Sequence, residues 1–389
     1  MRTETVIVGG GLAGSATAWA LTRAGRPCVL LEAFQPGHDR GSSHGTARIF
    51  RRAYPDPLYV RLTGEARRLW SELEDEAGET LITVTGSLDF GPSELPGEMY
   101  RQLVAHGVAA EMVHPHDARD RWPGLDFDDD DSVLFHPDGG VIDAERAMAA
   151  MRRLAEANGA EIRYGTRVEL ITARSVHTQE RTYEAETIVI AAGAWTPPLA
   201  GHLVPLPELT VTQITAFHFA PEARHGQSVP EARQGHSVPE ARHGHSAQRN
   251  GVAHAWPTFI HYGDMVRYGL PSGADAPGAV KVAAHGMGTV TTGDDRDGLP
   301  DKAAREQARR FVMAKVPGLQ PEPSKELTCL YTSTANEDFI LDRRGALVIV
   351  SACSGHGAKF APLTGRVAAD LVAGRPAPHA RFALPSDAA

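Results

Sequence analysis

The sequence predicts an α/β fold, α+β overall, in which a dinucleotide-binding domain is joined to a second domain built on antiparallel sheet. Three observations predict it. The first thirty-two residues read as strand, glycine turn, helix and strand, and stop at an acid. A strictly apolar run from Thr187 to Trp195 returns to a buried strand much later, and strand-like runs recur from Leu81 to Val350. At 389 residues the chain exceeds one ordinary core and suits two.

In the opening stretch, Val6-Ile7-Val8 leads into Gly9-Gly10-Gly11-Leu12-Ala13-Gly14. Gly9 lets the chain turn sharply out of the strand, Gly11 removes the side chain that would hold a pyrophosphate off the backbone, and Gly14 lets the helix lie close to the sheet. Phosphates then meet unpaired N–H groups and the positive end of the helix dipole. Glu32, just after Cys28-Val29-Leu30-Leu31, is placed to accept both hydroxyls of an adenosine ribose and would repel a 2′-phosphate, which disfavours NADP. The unit is Rossmann-like. These residues leave FAD and NAD both open.

A hydrophobic fraction of 42% and a charged fraction of 22% belong to the soluble globular class. The net charge of −9 argues against nucleic acid as a partner. No apolar run reaches the ~18 residues of a membrane span, and the N-terminal apolar segment reads as core, so a cytoplasmic location is expected. The three cysteines, Cys28, Cys329 and Cys353, are too widely separated for a zinc pattern or a disulfide framework, and no metal is expected.

After Glu32, Gly41-Ser42-Ser43-His44-Gly45-Thr46 forms a loop dense in glycine and short polar residues and delivers Arg48, Arg51 and Arg52. Read as a helix, it sets Arg48 and Arg52 on one face with Arg51 beside them. Because the cluster follows a loop at the C-terminal edge of a strand, it points to an anion or carboxylate site beside the cofactor. Tyr59 to Glu76 is an amphipathic helix carrying Leu62, Leu69, Trp70 and Leu73. Leu81 to Gly91 alternates as a strand pair turning at Gly86, residues 94–124 read as a helix and a loop, and Asp126 to Asp131 as a solvated acidic loop. The turn chemistry from Phe135 to Gly140 leads to Asp143, a cap for the helix Ala144 to Asn158.

Glu161 to Tyr164 and Val168 to Ile171 are strands, and Thr182 begins another. The run from Thr187 to Trp195 ends in Ala191, Ala192, Gly193 and Ala194, small residues that let a dinucleotide approach the backbone. Residues 221–247 hold three copies of a nine-residue unit, with His225, His236, His243 and His245. Repeats this polar cannot bury apolar area and read as a disordered insert rather than a metal site. They separate strand-like Thr210 to Phe219 from strand-like Trp256 to Tyr268. Lys281 interrupts the apolar strand around Val280 and Val282, where alternation sets it opposite its neighbours, and a partly buried lysine shifts its pKa readily. Ala303 to Val316 is an amphipathic helix; Thr328 to Thr332 is a β run; Phe339 to Asp342 and Leu347 to Val350 form a hairpin. Ser354 to Phe360 is a glycine-rich turn opening the final helix, Ala361 to Ala373. Lys359 lies in its first turn, where the dipole disfavours a cation, and this implies a negative partner.

In order and spacing, GGGLAG with Glu32, SSHGTARIFRRAY, TIVIAAGAW, Lys281 with His285, TCLYT and SGHGAKF resemble the D-amino-acid-oxidase-like flavoprotein superfamily. Within it, the chain is similar to the monomeric sarcosine oxidase and N-methyltryptophan oxidase family. The resemblance implies an FAD-binding domain over 1–85, 140–209 and 325–389, and an antiparallel-sheet substrate domain over 86–139 and 210–324. It implies FAD held by Gly9, Gly11, Leu12, Ala13, Gly14, Glu32, Ser42, Ser43, His44, Arg48 and Val168, with Ala192, Gly193, Trp195, Gly355, His356, Gly357 and Lys359. Cys329 matches the cysteine whose sulfur bonds the flavin 8α-methyl carbon, and nearby Arg or Lys would lower its pKa, whereas Cys28 and Cys353 are left as core.

Arg51 and Lys359 match the pair that clamps the substrate carboxylate, Arg48 and Lys281 the basic groups on the opposite flavin face, and Tyr268, His285 and Tyr331 the pocket walls. The implied activity is oxidation of the C–N bond of a carboxylate-bearing secondary or cyclic amine to an imine, with O2 reduced to H2O2. A dehydrogenase or tailoring enzyme using another electron acceptor is the alternative. The implied partners are an amino-acid-like small molecule and O2, with neither nucleic acid nor membrane, and the implied state is a monomer. The loop Ser272 to Gly278 and the repeat insert depart from the compact family pattern and are expected to border the substrate side.

Overall fold

In the computed structural model, residues 1–222 and 256–386 are described; the repeats at 223–247, with their four histidines, lie outside them. The strand Arg2–Val8 is the centre of an eight-stranded sheet. It pairs in parallel with Thr182–Ile190 on one side and with Cys28–Leu31 on the other, and Glu161–Arg163 lies beyond Cys28–Leu31. Leu347–Ser351 adds a further parallel pairing to Thr182–Ile190, and Ile340–Arg344 returns antiparallel to it as the expected hairpin. Runs buried on both faces suit a parallel sheet. Ile7, Leu30, Val189 and Val348 pack under the helices on one face, while Val6, Val29, Ile188 and Ile349 fill the other.

The glycine turn has the geometry that its spacing predicts. Gly9 has φ +99°, and a Cβ there would lie 2.5 Å from the Ala191 carbonyl oxygen. A Cβ on Gly14 would lie 1.8 Å from the Gly9 carbonyl oxygen, so the helix Leu12–Arg23 reaches its seat on the sheet only with glycine there. That helix packs against Ala361–Val372 and Ala144–Ala157, and Asp143 caps the latter by accepting from the Arg146 N–H at 3.0 Å.

A nine-stranded, mostly antiparallel sheet faces this unit, in the order Thr289–Val290, Thr210–Pro221, Val280–Ala284, Val266–Pro271, Thr258–Tyr262, Ser87–Gly91, Ser132–His136, Glu111–Val113, with Leu319–Ser333 paired along Thr210–Pro221. The chain from 325 to 333 therefore lies in this sheet. A small third sheet of Ala47–Phe50, Gly140–Asp143 and Ile82–Val84 shares no strand pairing with either.

Five local expectations are corrected. Arg48 lies in the strand Ala47–Phe50 and not in a helix, because Gly140–Asp143 supplies an antiparallel partner for the β-branched and aromatic residues around it. Ile82–Val84 and Ser87–Gly91 do not pair with each other: Gly86, at φ +76°, sends them to different sheets. The region 94–124 holds, besides the helix Leu95–Ala105, a strand at Glu111–Val113 and a short helix at Pro115–Arg121. Thr182–Ile190 is one continuous strand that ends before Ala191, because Gly193–Trp195 coils into a single 3-10 turn. In the acidic loop, Asp131 is buried and accepts from the Asp128 N–H at 3.0 Å, so the loop is not wholly solvated. Among the described residues no helix is long and apolar enough to cross a membrane.

Candidate active site

A cavity of about 970 Å³ opens between the C-terminal edge of the parallel sheet and the antiparallel sheet. All the sequence-predicted site residues line it except Gly14, which sits beneath the turn. At one end Gly9, Gly11, Leu12 and Ala13 present the helix N-terminus, and the Ser43 hydroxyl accepts from the Leu12 N–H at 3.0 Å. A side chain on Gly11 would meet that hydroxyl at 2.9 Å. Glu32, 6% exposed, is held by the Gly10 N–H at 2.7 Å and the Phe34 N–H at 3.0 Å, and each carboxylate oxygen keeps a further lone pair. Trp195 is fixed through its indole N–H to Asp294 at 2.9 Å, and Arg167 pairs with the same carboxylate at 2.6 Å. An elongated cleft with an acid and a helix N-terminus at one end fits FAD.

The other end is cationic. Lys281, 4% exposed, donates to the Ala47 carbonyl at 2.5 Å, and Arg48 donates to the carbonyls of Ser42 at 2.8 Å and His44 at 2.7 Å. Burial, reinforced by Arg48, brings the Lys281 pKa down to about 7, while Cys329 and Asp275 pull the other way. The strand pairing that places Lys281 beside His218 and Leu270 is what buries it. Asp275, in the loop Ser272–Gly278, accepts from the Thr46 N–H at 2.8 Å, so that loop braces the Arg48 and Lys281 side of the cavity.

Across the cavity stand Arg51 and Lys359. Arg51 donates to Ala53 and, at 3.3 Å, to Asp89, and its guanidinium lies 4.8 Å from the Tyr54 ring centroid. Burial opposes its charge, but Tyr262, Asp89 and Tyr54 outweigh burial and hold its pKa above the usual value. Lys359 donates to the His356 carbonyl at 2.7 Å; burial first, then Arg51, push its pKa well down. His356 is brought to about 3 by burial and Lys359. Its Nε2 donates to the Glu337 carbonyl at 3.1 Å and its Nδ1 accepts from the Tyr54 hydroxyl at 2.9 Å, which defines a neutral tautomer. Glu337, at φ +61°, also meets His285 Nε2 at 3.3 Å, and His285 holds its carboxyl below the usual range. Tyr268 and Tyr331 hydrogen-bond to each other, and burial raises Tyr268 to about 12.

Two expectations about cysteine change. Burial raises the Cys329 thiol in spite of Arg48 and Lys281, so the net shift is upward rather than down. Cys353 is half-buried in the cavity wall and is not core; Cys28 is core. Sequence reasoning also missed Asp89, Tyr262, Tyr54 and Glu337. Asp89 carried the same signal as Lys281, a charge inside an apolar strand.

The model of a family described as DAO, FAD dependent oxidoreductase, matches residues 4–371. The chain belongs to this family. Its members here include relatives at comparable length: human peroxisomal sarcosine oxidase is 31% identical, the match covering 95% of this chain and 91% of that protein. Monomeric sarcosine oxidase of Streptomyces avermitilis is 32% identical, covering 95% and 93%. Among solved structures, the open form of NikD, an unusual amino acid oxidase essential for nikkomycin biosynthesis, superposes with a TM-score of 0.81 at 25% identity, covering 98% of this chain and 97% of that one. As a family member the chain is an FAD-dependent oxidoreductase.

Lys281 ties stability to pH. The unfolded chain protonates this amine at about 10.5 and the folded chain only at about 7, so stability from this group is lost as pH falls from 10.5 to 7. In the flavin-free chain, Lys281→Met should raise the melting temperature most near pH 7, with a smaller gain at pH 9.5. Thermal unfolding at both values checks this; a gain that stays constant or grows with pH contradicts it.

Proposed function

We propose that the chain is an amine oxidase that converts the C–N bond of a carboxylate-bearing secondary or cyclic amine to an imine, with O2 reduced to H2O2. The observation that carries this reading is the gathering of two cationic pairs in the wall of one cavity, Arg51 with Lys359 and Arg48 with Lys281. The sarcosine oxidases and NikD support the substrate class through their names. We assign the FAD-binding domain to 1–85, 140–209 and 325–389 and the substrate domain to 86–139 and 210–324, with Leu319–Ser333 reaching across the boundary. The chain acts as a monomer, like its Streptomyces relative by name.

FAD, when bound, supplies the acceptor for two electrons. The protein does the rest. The glycine turn, Glu32 and Ser43 hold the adenosine and phosphate half; Cys329, in the cavity wall, would fix the reacting half through a covalent bond to the ring. Arg51 and Lys359 take the substrate carboxylate, a charge-assisted contact that sets the reacting carbon in one orientation. Burial in the cavity disfavours the charged ammonium form, so the amine is held neutral without a dedicated base. Tyr268, Tyr331 and His285 wall the substrate off from water. Lys281, whose charge burial and Arg48 oppose above about pH 7 and any incoming negative charge supports, presents a cation and a proton to the anion formed as oxygen is reduced.

Anaerobic mixing with a panel of N-methyl, cyclic and D- or L-amino acids tests the reading: bleaching of the bound flavin by N-methyl or cyclic members is expected, while bleaching by none of them refutes it. Covalent attachment has a separate test. Acid-precipitated wild-type protein should be yellow and acid-precipitated Cys329→Ser colourless; a colourless wild-type precipitate excludes the bond.

A further inference from the structure

Behind the Arg51 and Lys359 pair lies a carboxylate that the reading above does not use. Asp89, in the strand Ser87–Gly91, has no exposed surface. Its Oδ1 accepts from the Tyr262 hydroxyl at 2.9 Å and from Arg51 Nη1 at 3.3 Å, and Oδ2 has no partner among the described residues. Arg51 Nη1 is spent on protein groups, since it also reaches the Ala53 carbonyl and the Met99 sulfur. Arg51 also meets the Tyr262 side chain, and its guanidinium keeps 16% exposure on the cavity side, where a guest can reach it. Asp89 acts on Lys359 as well, favouring its charged form.

Burial raises the Asp89 carboxyl, while Arg51, Tyr262 and Lys359 favour its ionised form. With an anionic guest seated, which favours the charged form of Lys359, the group counts two cations and one buried acid, a single net positive. A guest with one carboxylate neutralises the group. A guest with two leaves an uncompensated negative charge in a site with little water, which is strongly unfavourable. A site discriminates between ligands both by attracting one and by penalising the other.

We propose that Asp89 is a specificity-determining, positioning residue that cancels one of the clamp's two positive charges and so restricts the site to substrates with a single carboxylate. This rests on the amine-oxidase reading, in which Arg51 and Lys359 take the substrate carboxylate. It also accounts for an acid placed out of reach of the cavity yet against Arg51, where it orients the guanidinium through Nη1.

The test uses the FAD-loaded protein and two ligands of similar size that have no C–N bond to oxidise, propionate and malonate, at pH 8, where malonate is a dianion. Each is titrated while the absorbance of the bound flavin is followed. Wild type should bind propionate at least about tenfold more tightly than malonate, a difference of about 1.4 kcal/mol. Asp89→Asn keeps the shape and the acceptor for Tyr262 but removes the charge; its affinity for malonate should rise about tenfold, and the preference should vanish or invert. A merely structural role for Asp89 would weaken both ligands together without moving their ratio. An unchanged ratio in Asp89→Asn overturns the inference while leaving the clamp intact. Equal or tighter malonate binding by wild type overturns it too, whether or not the variant retains flavin. If neither ligand perturbs the wild-type flavin, the clamp itself is refuted, and this inference with it.

Discussion

Cations from three separate stretches of chain converge on one cavity, and holding them there without a permanent counter-ion is the constraint that the site answers to. Lys281 and Lys359 are buried, and Arg48 and Arg51 sit in the wall beside them. Each is held by backbone carbonyls or by aromatic faces rather than by a full set of carboxylates, as the contacts of Lys281 with Ala47 and of Arg51 with Tyr54 show. Such groups are stabilised partway by neutral dipoles and remain receptive to an anion. Asp89 is the acid seated directly against one of them, and it faces Arg51 from behind.

The fold supplies these groups from opposite sides. Lys281 and Cys329 hang from the antiparallel sheet, Arg48 from the small third sheet, and Lys359 from the 3-10 turn Gly357–Phe360 ahead of the last helix of the parallel-sheet unit. The Ala47 carbonyl, which receives Lys281, belongs to the third sheet, so a single hydrogen bond joins two sheets at the cavity wall. The loop Ser272–Gly278 adds a second tie through Asp275 and Thr46. A substitution in that loop would thus reach the site through backbone position and not through contact with a ligand.

How much of this was legible in the sequence follows from the range over which each signal acts. The glycine turn is local, and Gly9 and Gly14 carry the close approaches that their spacing implies. Burial on both faces marked Thr187 to Ile190 as a central strand. Pairing partners are not local, which is why Arg48 read as helical: its strand exists because Gly140–Asp143, far along the chain, lies beside it. The same limit split Ile82–Val84 from Ser87–Gly91. Within the site, the resemblance named residues that the fold gathers around one cavity, but Asp89 and Cys353 lay outside the site residues it implied: Asp89 carried the pattern of a charge inside an apolar strand, and Cys353 only its proximity to the glycine-rich turn. Glu337 had no sequence signal, because its place depends on a left-handed backbone that only the folded loop reveals.

The central claim is that the two cationic groups divide the work, Arg51 and Lys359 serving the amine substrate and Lys281 serving oxygen. Stopped-flow measurement of the two half-reactions of Lys281→Met addresses it most directly. Anaerobic reduction of the flavin by substrate should stay close to the wild-type rate, while reoxidation by O2 should slow about a hundredfold or more, as expected when a preorganised charge is removed from a developing anion. Equal slowing of both half-reactions, or unimpaired reoxidation, would contradict the division.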